Sequence, residues 1–179
     1  MTDGWRPGDK RPDRAAMLRV DQAGEYGATR IYAGQLAVLS RNSTAAHQIA
    51  RMAAQEERHL KRFDQMMADR RVRPTVLQPL WSVAGFALGA ATALISEKAA
   101  MACTDAVETE IDRHYSEQLA ELGDEDPEFA ADIRDFQTEE LEHRATAREH
   151  GAEEAIAYPL LTGAIRAGCR LAIELSKRI

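Results

Sequence analysis

Two short motifs in the sequence place a glutamate and a histidine three residues apart. They are Glu56 with His59, and Glu140 with His143. Positions i and i+3 share one face of an α-helix, so each pair can offer a carboxylate and an imidazole to one metal ion. One such pair is common on a solvated helix face, but its repetition indicates a metal site.

A single glutamate precedes each pair at nearly the same distance in the chain. Glu25 lies upstream of the first pair, and Glu108 lies upstream of the second. Two single glutamates and two Glu-x-x-His pairs are the ligand set of a carboxylate-bridged two-metal site inside a four-helix bundle. The predicted metal ligands are therefore Glu25, Glu56, His59, Glu108, Glu140 and His143.

Four helices with two tight turns would bring these ligands to one level. Turns are predicted at 42–43 and at 123–127, where small, polar and helix-breaking residues cluster. At about 1.5 Å of rise per residue, antiparallel helices then place all the ligands within about one helical turn of each other. The predicted ligand helices cover about 13–40, 45–70, 97–122 and 127–150.

Each predicted ligand lies on an apolar stripe with helical spacing. Glu25 shares its stripe with Leu18 and Tyr32, and Glu108 shares its stripe with Tyr115. Four carboxylates in an apolar core would repel one another, and two divalent ions would cancel their charge. Structural salt bridges are the alternative. Oxygen and imidazole ligands also accept manganese or zinc as well as iron.

The composition predicts an all-α fold. Helix-forming residues are plentiful and no run of alternating β-branched residues occurs. With the ligand pattern, this predicts a ferritin-like four-helix bundle with a long crossover helix and an extra C-terminal helix. Residues 1–12 are predicted to be a disordered lead-in, and 13–179 a single ferritin-like domain with a two-metal site.

The net charge and the cysteines restrict the possible binding partners and the cellular compartment. The net charge of −6 argues against nucleic-acid binding. Cys103 and Cys169 form no Cys-x-x-Cys motif and are predicted to be small buried residues in a reducing compartment. Residues 1–10 lack the apolar region of a signal peptide, which predicts a bacterial cytoplasm or a chain already trimmed. No glycine-rich nucleotide loop is present.

Two apolar segments have open interpretations. Residues 74–96 carry no charge, and could cross a bilayer, form an internal crossover, or lie in a membrane surface. In the last case Trp81 and Phe86 would insert, with the basic cluster 70–73 near lipid headgroups. Residues 152–179 form a basic amphipathic stretch that could be a lid, a partner-binding face or a membrane contact.

Several longer motifs resemble one known family. Residues 21–28 and 30–35, Asp-Gln-Ala-Gly-Glu-Tyr-Gly-Ala and Arg-Ile-Tyr-Ala-Gly-Gln, resemble the first ligand helix of the demethoxyubiquinone hydroxylases. These are di-iron monooxygenases of ubiquinone biosynthesis. The resemblance extends from about residue 14 to residue 179, with further similar segments at 71–77, 79–81, 85–89, 100–104, 139–143 and 167–170.

The resemblance assigns the same six metal ligands and adds two catalytic candidates. In the family a His-Tyr pair, here His114 and Tyr115, is associated with substrate and electron entry. Arg113 stands where some relatives carry a further histidine. From spacing alone, Tyr115 could instead be a packing residue, and His114 could form a surface pair with Glu110.

The remaining histidines, His47 and His150, are predicted to be exposed.

The resemblance also implies a reaction and a location. The implied reaction is hydroxylation of the ring of 5-demethoxyubiquinol by O2 and two electrons at two iron ions, with NADH or the quinol itself as electron source. The polyprenyl substrate implies peripheral attachment to the cytoplasmic face of a bacterial inner membrane, or to the mitochondrial inner membrane for a trimmed eukaryotic chain. A lipid-binding partner protein and a homo-oligomer are further implied partners.

The alternatives are ferritin-type iron storage without monooxygenase activity, and an inactive helical scaffold.

Overall fold

A computed structural model describes residues 12–178, which form six α-helices and one short 3-10 helix. No strand occurs within this range, so the predicted all-α fold is confirmed. Apart from Pro12, the predicted disordered lead-in lies outside the described residues. The helices are α1 (Arg14–Val38), α2 (Thr44–Arg70), α3 (Gln78–Ile95), α4 (Glu97–Leu122), α5 (Pro127–Glu149) and α6 (Tyr158–Ser176), and the 3-10 helix is Ala152–Glu154.

Side-chain caps and one glycine explain where the ligand helices begin and end. The Asp13 carboxylate accepts a hydrogen bond from the Ala16 amide at 3.0 Å and caps the start of α1. The Ser43 hydroxyl does the same for the Ala46 amide at 3.1 Å and starts α2. At the end of α4, Gly123 has a φ of 52°, a conformation that costs glycine little.

Helices α1, α2, α4 and α5 form the four-helix bundle. Apolar clusters lie on both sides of the ligand level along the helix axes. One cluster contains Leu18, Phe63 and Phe129, and the other contains Ile49 and Met101. Leu18 lies on the predicted stripe of Glu25, and burial of such apolar faces sets the level at which the ligands meet.

The crossover helix α3 lies along α1 at very short range. A Cβ atom added at Gly34 would collide with the Phe86 carbonyl oxygen and lie 2.8 Å from the Ala90 amide nitrogen. A Cβ atom at Gly89 would collide with the Ile31 carbonyl oxygen in the same way. The two glycines therefore allow direct backbone contact between these helices.

Only one face of α3 is buried, so a wholly internal crossover is wrong. Its buried residues are Gly85, Gly89, Thr92 and Ala93, while its opposite face is exposed. Among the described helices, α3 has the length and hydropathy to cross a membrane, with a mean hydropathy of 1.3 over Gln78–Ile95.

The C-terminal helix α6 packs on α4 and α1 and confirms the predicted extra helix. It also exposes large apolar side chains, among them Leu160 and Leu171. Of the two cysteines, Cys103 is buried as predicted, whereas Cys169 is only partly buried; both are free thiols.

Candidate metal centre

All six predicted ligands meet inside the bundle, and none is more than 2% exposed. They form two overlapping groups, and within each group the ligand atoms lie within 4.8 Å of one another. Glu56 and Glu140 belong to both groups. The first group adds Glu25 and His59, and the second adds Glu108 and His143. Two shared carboxylates between two histidines are the arrangement that a bridged pair of ions requires.

Unsatisfied oxygen atoms show that this cluster fits bound cations. Within residues 12–178, both carboxylate oxygens of Glu56 and one oxygen each of Glu25, Glu108 and Glu140 are buried without a hydrogen bond. A buried carboxylate oxygen without a partner is costly. Lysine and arginine, as far as the structure describes them, pair with none of these four glutamates, which disfavours structural salt bridges.

The two histidines point the same ring nitrogen at the carboxylates. His59 Nδ1 lies 3.1 Å from Glu140 Oε1 and 3.4 Å from Glu25 Oε2. His143 Nδ1 lies 3.1 Å from both Glu56 Oε1 and Glu140 Oε2. The nitrogen lone pairs and the free carboxylate oxygens therefore converge on two common positions. Two oxygen- and nitrogen-ligated divalent ions fit this donor set.

Without bound cations, the cluster retains protons. Burial, followed by the charge of Glu140, raises the pKa of Glu56 and of Glu108 well above the usual range. Burial alone would lower the pKa of His59, but hydrogen bonds and charge from Glu140 and Glu25 outweigh it and raise this pKa to about 10. Divalent ions would displace these protons, so metal binding and proton release are coupled.

We expect the metal-free protein to lose stability as the pH rises from about 7 to about 8.5. The pKa of His59 is about 10 in the folded protein and about 6.5 in an unfolded chain. Its stabilising contribution is therefore complete below about pH 6.5 and is lost as the pH rises towards the folded value. Urea unfolding with a chelator present should give a lower free energy of unfolding at the higher pH, and His59 alone should account for about 1–2 kcal/mol of the difference.

Two histidine variants test whether His59 contributes to this pH dependence of the free energy of unfolding. His59→Asn should reduce the pH dependence without abolishing it, because Glu56 and Glu108 also retain protons in the folded protein. His47→Asn should leave it unchanged, because His47 is exposed as predicted. A free energy of unfolding that increases with pH over this window would contradict the raised pKa of His59.

An outer layer of hydrogen bonds orients the two imidazoles. His59 Nε2 lies 3.1 Å from Glu139 Oε2, and His143 Nε2 lies 3.1 Å from Gln55 Oε1. The Gln55 amide also donates to Glu139 Oε2 at 3.2 Å and links the two contacts. Partners of this kind fix the ring orientation and leave Nδ1 free as a ligand atom.

Sequence reasoning missed this outer layer. A positional signal was available, since Gln55 and Glu139 each stand directly before the glutamate of a Glu-x-x-His pair. Each of them contacts the histidine of the opposite pair, so the repeat could have indicated them.

The two catalytic candidates have different surroundings. Tyr115 is buried and its hydroxyl donates to Glu25 Oε1, so it contacts the predicted ligand layer directly. His114 is 8% exposed, and its Nε2 lies 3.1 Å from Asp21 Oδ1. The surface-pair interpretation of His114 with Glu110 is therefore wrong.

Glu110 is itself buried, and arginines surround it. The Arg113 and Arg166 side chains donate to it at 2.8 and 3.1 Å. The predicted exposure of His150 is also wrong, because this residue is partly buried and its Nδ1 lies 2.9 Å from the Thr146 carbonyl oxygen.

An apolar groove of about 630 Å³ lies beside the predicted ligand cluster. Its walls come from α1, α3, α4 and α6, and include Gly24 and Gly27 of α1. Ala28, Ile31 and Val107 line both this groove and a small void that reaches the ligand Glu108. Only a thin apolar wall therefore separates the groove from the predicted ligands.

Comparison with known proteins agrees with this architecture. The family model described as ubiquinone biosynthesis protein COQ7 matches residues 13–176. The 3-demethoxyubiquinol 3-hydroxylase of Rhodospirillum rubrum is 57% identical over 177 residues, which cover 97% of this chain and 82% of the relative.

Two eukaryotic relatives extend the comparison. The human NADPH-dependent 3-demethoxyubiquinone 3-hydroxylase, mitochondrial, is 54% identical and covers 91% of this chain and 76% of the relative. The 5-demethoxyubiquinone hydroxylase, mitochondrial, of Saccharomyces cerevisiae is 41% identical, over 91% of this chain and 77% of the relative. The chain therefore belongs to the COQ7 family of ubiquinone biosynthesis proteins.

Proposed function

We propose that this protein hydroxylates the ring of a demethoxyubiquinol in ubiquinone biosynthesis, using O2 and two electrons at two iron ions. The observation that carries the proposal is the six-residue cluster, whose unsatisfied carboxylate oxygens lie beside an apolar groove. Membership of the COQ7 family supports the same substrate class.

The six proposed ligands would bind two ions, and two of the six would be shared between them. Glu25 and His59 would hold one ion, Glu108 and His143 would hold the other, and Glu56 and Glu140 would bridge them. When bound, the iron ions supply the electrons that reduce O2. Carboxylates suit this role because they can change between terminal and bridging binding as the charge of the ions changes. The surrounding apolar clusters exclude water from the ligand layer.

The groove fits the isoprenoid part of the substrate. Its lining is almost entirely apolar, so it can shelter a polyprenyl chain from water. Ala28 and Val107 line both the groove and the void next to Glu108, so only a thin layer of side chains lies between the groove and Glu108. A quinol ring at the inner end of the groove would then be close to the metal cluster.

We propose that the protein binds peripherally to a membrane through α3 and α6. Both helices border the groove and expose large apolar side chains: Val76, Leu80, Val83 and Leu94 near or on α3, and Ile156, Leu160 and Leu171 near or on α6. The exposed arginines Arg71 and Arg73 lie in the segment between α2 and α3, where anionic headgroups would attract them. An interfacial position is favoured over a span because α3 is fixed along α1 by close glycine contacts.

The membrane would be the cytoplasmic face of a bacterial inner membrane, or the mitochondrial inner membrane if the chain is a trimmed eukaryotic one. Eukaryotic relatives are named mitochondrial. A lipid-binding partner protein and a homo-oligomer belong to the same proposal. The electrons would come from a reduced nicotinamide nucleotide such as NADH or from the quinol, and the names of mammalian relatives state dependence on NADPH.

The direct test is a single turnover with labelled oxygen. The protein is loaded anaerobically with ferrous iron, mixed with a short-chain demethoxyubiquinol, and then exposed to ¹⁸O2. Mass spectrometry should show a product with one added ¹⁸O atom. A product without the label, or unchanged quinol from protein that contains both irons, would refute the proposed reaction.

Iron storage is not supported as the alternative. The relatives of this chain are named as hydroxylases. An apolar groove also lies beside the ligand cluster, and iron storage does not require one. Size-exclusion chromatography and flotation with anionic liposomes separate the two functions. A large hollow cage without liposome binding would favour storage.

We expect Gly27→Leu to block the groove while sparing the fold. A Cβ atom at Gly27 meets no atom within 4 Å outside its neighbouring residues, so a leucine side chain can extend into the groove without a clash. Metal content and melting temperature should remain at least at wild-type values, because glycine within a helix is unfavourable by about 1 kcal/mol. The KM for the quinol should rise by about 10-fold or more, the effect of losing roughly 1.4 kcal/mol of binding.

Gly163→Leu is the matched control. Gly163 also has open space around an added Cβ atom, but it does not line the groove. Equal KM values for both variants in detergent would show that the substrate binds elsewhere.

A further inference from the structure

Two tyrosines hold the single glutamates of the ligand cluster in a crosswise pattern. Tyr32 of α1 donates to Glu108 Oε1 of α4 at 2.7 Å, and Tyr115 of α4 donates to Glu25 Oε1 of α1. Each tyrosine follows the glutamate of its own helix by about two turns. Both phenol rings are 1% exposed, so neither hydrogen bond competes with bulk water.

Each hydrogen bond leaves one carboxylate oxygen free. Oε2 of Glu25 and Oε2 of Glu108 are buried and have no hydrogen-bond partner within the described residues. A carboxylate held at one oxygen by a neutral donor presents the other oxygen in a fixed direction. The geometry therefore presents one oxygen of each single glutamate towards its own group of ligands.

The two tyrosines have different surroundings in the bundle. Tyr115 packs in the apolar cluster that contains Phe63 and Leu122. Tyr32 packs in the apolar cluster that contains Ile49 and Met101, and it also lines the small void that Glu108 lines. Ala28, Ile31 and Val107 line both this void and the large groove. The void is too narrow to hold a water molecule.

We propose that Tyr32 is a positioning residue that holds Glu108 for the ion of the Glu108–His143 group, and that the substrate ring reaches the metal centre on this side. The inference rests on the proposed function, because it needs both the ion pair and the quinol. Tyr32 and Glu108 both line the small void next to the groove, whereas Tyr115 holds Glu25, which belongs to the other ligand group.

The first experiment measures metal affinity site by site. Chelator-treated wild-type protein, Tyr32→Phe and Tyr115→Phe are titrated anaerobically with Co²⁺, and binding is followed by visible absorption. Loss of a hydrogen bond to a ligand typically costs about 10–100-fold in metal affinity. Tyr32→Phe should weaken one of two sites by this factor, and Tyr115→Phe should weaken the other.

Reference variants identify which site has changed. The residual spectrum of Tyr32→Phe should match that of His143→Asn, and the residual spectrum of Tyr115→Phe should match that of His59→Asn. Tyr26→Phe, at a partly buried position outside the cluster and the groove, should bind both ions as the wild type does.

The second experiment locates the substrate ring. A short-chain demethoxyubiquinol is added anaerobically to His59→Asn and to His143→Asn, each loaded with one equivalent of Co²⁺. The quinol should change the Co²⁺ spectrum of His59→Asn, which retains the Glu108–His143 group, and should leave that of His143→Asn nearly unchanged.

The outcomes separate this inference from the proposed function. Wild-type protein that binds no pair of ions would overturn the proposed function itself. Wild-type binding of two ions, with unaltered affinities in Tyr32→Phe, would overturn only the role of Tyr32. Equal weakening of both sites in Tyr32→Phe, with a lower melting temperature of the chelated protein, would assign Tyr32 a merely structural role and also overturn it.

Discussion

Replacing Glu140 by alanine should remove both metal ions and lower turnover to below about one hundredth of the wild-type value. Glu140 belongs to both ligand groups, so its loss takes a ligand from each ion and leaves Glu56 as the one carboxylate that the two groups share. A change in the outer hydrogen bonds of a metal site alone costs about 10–100-fold, and loss of a bridging ligand should exceed that range. The i, i+3 spacing pairs Glu140 with His143 and so with one ion, whereas the geometry places Glu140 in both ligand groups.

Iron content by elemental analysis and product formation by mass spectrometry would measure both effects. Glu142→Ala is the control, because Glu142 is an exposed neighbour on the same helix. The control should retain two irons and full turnover. A Glu140→Ala protein with both irons and wild-type turnover would show that this ligand assignment is wrong.

Replacing Gly89 by alanine should destabilise the protein by more than about 3 kcal/mol, the upper end of ordinary overpacking. The added methyl group would collide with the Ile31 carbonyl oxygen and lie 3.1 Å from the Gln35 amide nitrogen. Backbone atoms inside a helix cannot rotate away as a side chain can, so α3 must move off α1. The groove should open at the same time, because both helices form its walls.

Urea unfolding of the metal-loaded protein would measure the loss. Gly163→Ala is the matched control, since its Cβ atom meets open space and the substitution should stabilise α6 by up to about 1 kcal/mol. If Gly89→Ala unfolds at the wild-type urea concentration, the close contact between α1 and α3 is absent in solution.

Some features of the fold were predictable because they depend on short-range periodicity. The i, i+3 spacing of Glu56 with His59 requires only a helix for both side chains to share a face. The turns near 42–43 and 123–127 then set antiparallel partners at one level. The predicted helix boundaries differ from the observed ones by a few residues at most, for example at the end of α1, which is Val38.

Other features were missed because they depend on which helix lies beside a residue. His114 is four residues from Glu110, which on an isolated helix indicates a surface pair. In the bundle the neighbouring α1 covers this part of α4, so His114 contacts Asp21 instead. The hydrogen bond from Tyr32 to Glu108 was missed for the same reason, because its partners are far apart in the chain.

The sequence by itself determined the helical class, the six candidate ligands and the charge that they must neutralise, since these follow from residue type and spacing along a helix. Only the tertiary structure decided which carboxylates are shared, which imidazole nitrogen faces them, and that α3 is buried on one face alone. The physical reason is that bridging, ring orientation and burial depend on distances between helices, which the periodicity of a single helix does not contain.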